Sequence, residues 1–156
     1  MLTGSAGSDV FSFKAGDSGK ASASSFDCIT DFVVDDEIKT VYDSLDFGDT
    51  KSVVNDTDVD VDVAAASGND GKTITASITD GVITLAGADM AKIDSLSEWL
   101  AVARVMVDAN DEVGAFEFRG STYVYQENGG SDQDLLVQLL GVKDVSAVSD
   151  LLLVIS

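Results

Sequence analysis

The sequence contains no histidine, a single cysteine, and nine basic residues against 28 acidic ones. Each shortage closes a class of function. Without histidine the chain lacks the usual general base and the commonest transition-metal ligand, so it has neither an H-E-x-x-H zinc motif nor a Ser-His-Asp triad. No enzyme is expected within these residues. The lone Cys28 excludes an internal disulfide framework. It lies between Asp27 and Ile29 in an apolar, strand-like run and reads as a small buried residue, because neighbouring acids repel the thiolate that a reactive cysteine needs. A net charge of −19 disfavours nucleic acid and anionic membrane as partners while offering many carboxylates to divalent cations. No apolar run approaches about 18 residues, so no membrane insertion is expected. Met1 to Gly19 has neither the basic region nor the continuous apolar core of a signal peptide.

What is present argues for a folded domain. The 156 residues are 45% hydrophobic, enough for one domain with a real core despite the charge. The stretch around which the rest is organised is Leu2 to Phe13. Gly4 to Ser12 nearly fits the nonapeptide G-G-x-G-x-D-x-U-x, in which a glycine-rich turn leads into a short strand and the aspartate binds calcium between stacked turns. Ser5 stands where the second glycine belongs. Small residues let the backbone turn tightly and aim carbonyl oxygens at a hard cation, to which the aspartate adds a charged oxygen. Phe11 and Phe13 alternate with Ser12, giving the strand one apolar face. One such turn makes neither a complete site nor a stable coil, since each repeat buries its apolar face only against a neighbour.

The order L-T-G-x-A-G-x-D-x-F-x-F, then A-G-D-S (Ala15 to Ser18), then D-C-I-T-D-F (Asp27 to Phe32) and D-E-I (Asp36 to Ile38), resembles the C-terminal end of RTX-type calcium-binding exoproteins. In that family the last turns of a parallel β-roll are followed by a capping segment of D-T-I-T-D-F type. Members include secreted proteases, lipases, adhesins and surface-layer proteins, exported by type I secretion through an uncleaved C-terminal signal. The resemblance implies that Gly4 and Ala6 supply backbone carbonyls and Asp9 a carboxylate to calcium, with Asp27 or Asp31 completing the adjacent shell. It implies, too, that Met1 is a fragment start, with further chain upstream. Because Ser5 breaks the motif and no second repeat is visible, the site is partial or empty on this reading.

In chain order, Lys14 to Ser25 is a Gly/Ser/Ala-rich loop, and strands are expected at Asp27 to Val34 and Glu37 to Tyr42. Leu45 to Thr50 reads as a turn-containing connection. Asp56 to Val63 alternates strictly, placing valines on one face of a strand and aspartates on the other; a solvated outer face is preferred for the aspartates over a calcium row. Lys72 to Ala86 reads as a hairpin turning at Asp80-Gly81. Ser95-Leu96-Ser97-Glu98 is a capping box opening a helix to about Asp108, with Leu96, Trp99, Leu100, Ala103 and Met106 at helical spacing. Trp99 is expected to pack on a sheet rather than to line a ligand pocket. Ala115 to Arg119 and Thr122 to Gln126 form a second hairpin around Gly120-Ser121.

Glu127 to Asp134 is an acidic loop before a strand at Leu135 to Leu140. Asp132 and Asp134 lack EF-hand spacing, and a solvated loop is preferred there to a calcium site. The series T-Y-V-Y, N-G-G, D-x-D-L-L-V-x-L-x-G-V again resembles the RTX C-terminal region. Val145 to Ser156 reads as a short turn or helix and then an apolar terminal strand docked in the sheet. An acidic residue followed by apolar ones is also what type I secretion substrates show at their ends. The two readings are compatible, since an exporter reads an unfolded chain and calcium outside then favours folding.

The expected fold is mostly β, a β-roll-like or β-sandwich domain with one packed α-helix. Residues 1–50 form a terminal β-roll turn and cap and residues 51–156 a β-rich C-terminal region, together one continuous domain. The expected function is a calcium-assisted capping and type I secretion module of a larger secreted or surface-layer bacterial protein. Its expected partners are the upstream polypeptide and the secretion machinery, and its location is extracellular or at the cell surface. Two alternatives stay open: a self-assembling or adhesive surface-layer module, and the accessory domain of a secreted hydrolase.

Overall fold

The computed structural model describes residues 1–17, 21–34, 41–48, 52–54, 73–87, 90–130 and 132–153, together with the backbone of 56–62. Local chemistry accounts for its two hairpins. Asp80 and Gly81 both hold positive φ, 48° and 80°, as a primed turn requires. They join β6 (Thr73–Thr79) to β7 (Val82–Ala86) in antiparallel register from Thr79↔Val82 to Thr75↔Ala86. The second hairpin joins β8 (Glu112–Phe118) to β9 (Ser121–Gln126). Its turn residues are Arg119 and Gly120, at φ 50° and 77°, one position earlier than expected; Ser121 is already paired with Phe118.

The capping box sets the helix. Ser95 Oγ accepts from Glu98 N–H at 3.4 Å, and Glu98 Oε2 accepts from Ser95 N–H at 3.1 Å. From that start α1 runs Leu96–Met106. It stops short of Asp108 because Val107 leaves helical geometry and tucks fully inside the core. Gly114 of β8 permits this close approach: a Cβ there would lie 2.7 Å from Val107 Cγ2.

The remaining strands are β1 (Val10–Ser12), β2 (Asp27–Ile29), β3 (Ser44–Asp46), β4 (Ser52–Val53), β5 (Asp56–Asp62) and β10 (Leu135–Leu139). Seven strands lie in the order β2-β10-β9-β8-β7-β6-β5, with β4 pairing β8 at its start; β1 and β3 make a separate parallel pair. The large sheet has a core on each face. On one side Leu100, Ala103 and Met106 of α1 pack with Ile74, Ile83, Phe116, Tyr123 and Leu136. On the other, Phe11, Phe13 and Leu45 of the small sheet's segments pack with Val113, Ala115, Val124 and Val137. Alternation along β8, β9 and β10 supplies both. The result is a mostly β domain, a sandwich of mixed sheets with one packed helix.

The parallel pairings repeat. Leu2 bridges Ile29, and Ile29 pairs with Leu139 of β10. In the small sheet Phe11 pairs with Leu45, and Leu45 bridges Leu152. Three times, therefore, the chain passes from the large sheet to the small one: Leu2 to Phe11, Ile29 to Leu45, Leu139 to Leu152. These are three rungs of a parallel winding.

Several expected elements differ. The strand expected over Asp27–Val34 stops at Ile29, and Asp31 beyond it bonds the amides of the first turn instead, as described below. Of the strand at Glu37–Tyr42, residues 37–40 lie outside the described residues, and Val41 and Tyr42 are not in a strand. The connection at Leu45–Thr50 begins inside β3, because Leu45 finds non-local partners: its N–H donates to Leu151 O at 2.7 Å and its carbonyl accepts from Leu153 N–H at 2.8 Å. The strand expected over Asp56–Val63 is found as β5, ending at Asp62 and carrying a register shift between Asp56 and Val59; Val63 and the expected valine and aspartate faces lie outside the described residues. The short turn or helix expected near the end is a 3-10 turn at Val148–Asp150; of the terminal strand expected after it, the described residues show one parallel bridge, Leu45–Leu152, and residues 154–156 lie outside the described residues.

Candidate functional site

The first turn, Gly4 to Asp9, is built from residues too small to shield their own backbone. Asp31 satisfies that backbone from the next rung: its two carboxylate oxygens accept from Gly4 N–H at 3.0 Å and Ser5 N–H at 2.9 Å. These two amide donors hold the Asp31 carboxyl below the usual carboxylate range, against a smaller opposing effect of burial. Ser5 sits at φ 77° and Gly7 at φ 123°. The position where the nonapeptide has its second glycine thus has the left-handed backbone that favours glycine, and serine occupies it under strain.

Asp9 closes the turn. Its N–H donates to Asp43 Oδ1 at 2.9 Å, and Asp43 Oδ2 accepts from Val33 N–H at 2.8 Å. Asp43 is buried, so its carboxylate staples the first two rungs together from inside. Ser8 Oγ adds a bond from Tyr42 N–H at 3.2 Å. The Asp9 side chain lies against Gly4, where a Cβ would come within 2.5 Å of Asp9 Oδ2. That oxygen is buried and has no hydrogen-bond partner. Two observations therefore fit a cation at this carboxylate: an orphaned buried oxygen, and a cradle open only because residue 4 is glycine.

The expected ligand residues separate on these facts. Gly4 meets both Asp9, against its Cα, and Asp31, which accepts from its N–H. Ala6 is exposed in the bend next to Ser5. Asp27 opens β2 opposite Val137, on the far side of Ile29 from Asp31. Asp31 already spends both oxygens on amides. Among the described residues no three carboxylate or cysteine side chains converge as a metal cluster. A calcium ion here would rest on Asp9 and backbone carbonyls, a donor set with little charge, which fits the weak end of calcium affinities, Kd of roughly 10⁻⁴ to 10⁻³ M.

Sequence reasoning missed Asp43. It belongs to no repeat, and the only trace of it is an acid directly before the short β3. Asp134 differs from its expected solvated place. It is buried, with Oδ2 accepting from Tyr125 O–H at 2.8 Å and Oδ1 from Asn128 N–H at 3.2 Å. Burial, then this bond, pushes the Tyr125 hydroxyl well above the usual tyrosine range. Its carboxylate ties the loop to β9. Cys28 is a half-buried free thiol. No protein-family model, curated protein or solved structure matches this chain.

Proposed function

We propose that this chain is a calcium-assisted capping and secretion module of a larger extracellular or surface-layer protein of RTX type. The observation that carries the reading is the three-rung parallel winding, whose first rung has an unpaired edge among the described residues. Among them Leu2 and β1 are paired on one side only, and Val10 is 52% exposed. A further parallel rung, from chain upstream, would stack there. The opposite end is closed: β10 passes from the last rung into an antiparallel sheet backed by α1.

Calcium acts at the first turn in this reading, by giving Asp9 Oδ2 the partner it lacks. The start of the apolar tail is part of the folded structure, since Leu151 is fully buried and Leu152 bridges Leu45. An exporter would read these residues only on an unfolded chain, and calcium at extracellular levels would then favour the native state. No catalytic role is assigned to any residue.

The test is calorimetry of metal-free protein with and without calcium, with Asp9→Asn as control. For a Kd of about 1 mM, 10 mM calcium stabilises by about 1.4 kcal/mol, and at this chain length that raises Tm by roughly 3–6 °C. The variant should show no rise. An equal rise in both proteins, or none in either, refutes a calcium role for this turn. The self-assembling alternative rests on the same open rung, filled by a second copy; sedimentation showing ordered association on adding calcium would favour it. Export of a passenger fused to the chain would favour the secretion reading.

A further inference from the structure

A cavity between β7 and β8 has no part in the reading above. These two strands run parallel yet share one register pair, Val82↔Ala115, whereas β7 follows β6 along its whole length. Beyond Ala115 the sheet splits, and the split opens a cavity of about 340 Å³. That volume falls within the range of small-molecule sites, about 300–1,000 Å³, which are mostly apolar with a few polar groups. Ile83 and Leu85 of β7 and Phe116 of β8 line it, and Met90 and Trp99 reach it from the helix side.

Trp99 is held there rigidly. It stacks on Phe116 with centroids 5.2 Å apart and planes 6° apart, and Phe116 stacks on Tyr123 at 5.5 Å and 7°. Among the described residues the ionisable side chains lining the cavity are Glu117 and Asp144, both acidic and both exposed, with no lysine or arginine beside them. Glu117 Oε2 accepts from Asp144 N–H at 3.4 Å, which keeps the two acids side by side across the loop after β10. Arg119 is engaged elsewhere, over the Phe118 ring and on Asp94 O. Phe116 and Glu117 are consecutive in β8 and face opposite sides of the sheet, so the split has an aromatic wall on the helix side and two adjacent carboxylates on the other, an arrangement that suits a cation with an apolar body; the net charge of −19 adds long-range attraction.

We propose that this split in the sheet binds a small organic cation with an apolar body, its ammonium group at Glu117 and Asp144 and its body against Trp99, Phe116 and Leu85. The site is independent of the calcium turn. Trp99 is the sole tryptophan, so its emission reports on the cavity directly. The experiment titrates the full chain in chelator with phenethylammonium and, separately, with the neutral phenethyl alcohol, following Trp99 fluorescence and ligand-observed saturation-transfer NMR.

Saturable binding of the ammonium, tighter than the alcohol by about threefold to tenfold, is expected from attraction to the two exposed carboxylates. The Glu117→Gln/Asp144→Asn variant should lose most of that preference. It keeps the acceptor at position 117, and asparagine tolerates the positive φ of 56° at position 144. Its folding is checked by its unchanged melting profile. Equal affinities for the two probes in the native protein, an undiminished preference in the folded double variant, or no saturable signal by either method overturns the proposal.

Discussion

Replacing Gly4 by alanine tests the close packing on which the calcium reading depends. The backbone at Gly4 needs no positive φ, so alanine alone would favour folding by about 0.4–1 kcal/mol through the unfolded chain. Against this, the new Cβ would lie 2.5 Å from Asp9 Oδ2, 2.8 Å from its Cγ and 2.9 Å from its Cβ. The carboxylate tip can rotate, but Asp9 Cβ is fixed by the backbone that donates to Asp43. Overpacking of this kind costs about 1–3 kcal/mol. The net expectation is a loss of about 1–2 kcal/mol, which for a chain of this size is a fall in Tm of roughly 3–6 °C. Calorimetry in chelator measures it without any contribution from metal. In an Asp9→Gly background all three close contacts vanish, Cβ included, so the cost should disappear, a coupling of about 1 kcal/mol or more between neighbouring sites. If Gly4→Ala is neutral or stabilising, Asp9 swings freely out of the cradle, and the argument that its buried oxygen awaits a cation fails.

Ser5→Gly should do the reverse: relief of the left-handed strain, about 1–2 kcal/mol, outweighs glycine's entropic cost of about 0.5–1 kcal/mol, and a melting curve showing no gain would contradict the strain at φ 77°. Tyr125→Phe removes the hydroxyl donor from buried Asp134 and should cost about 1.5–3 kcal/mol by denaturant titration. Because the folded state holds the Tyr125 proton more tightly than the unfolded chain, stability should fall as pH rises above about 10, and the phenylalanine variant should flatten that fall. Asp31 has the opposite sign: its lowered value means that the unfolded chain binds the proton first, so its contribution is present above about pH 3.8 and is lost as pH falls through the folded value. Acid melts of Asp31→Asn should show a shallower slope in that window.

The chain by itself determined whatever depends on neighbours in sequence. Asp80-Gly81 specified a turn because few residues accept positive φ in succession. Ser95 and Glu98 specified a helix start because the two side chains satisfy each other's orphan amides. Gly4 to Asp9 identified a tight turn ending in an acid, and the mostly β class followed from period-two patterning. Tertiary structure alone decided what depends on partners far along the chain. Leu45 reads as part of a loop until Phe11 and Leu152 flank it. Asp31 looks like a ligand until its oxygens meet the amides of Gly4 and Ser5, and Asp134 looks solvated until Tyr125 folds over it. Asp43 carries little local signal beyond its place before β3, because its role is to join two rungs whose residues lie 34 and 10 positions away. The winding that makes these rungs neighbours, and leaves Asp9 Oδ2 without a donor, is a property of long-range pairing, and no window of the sequence contains it.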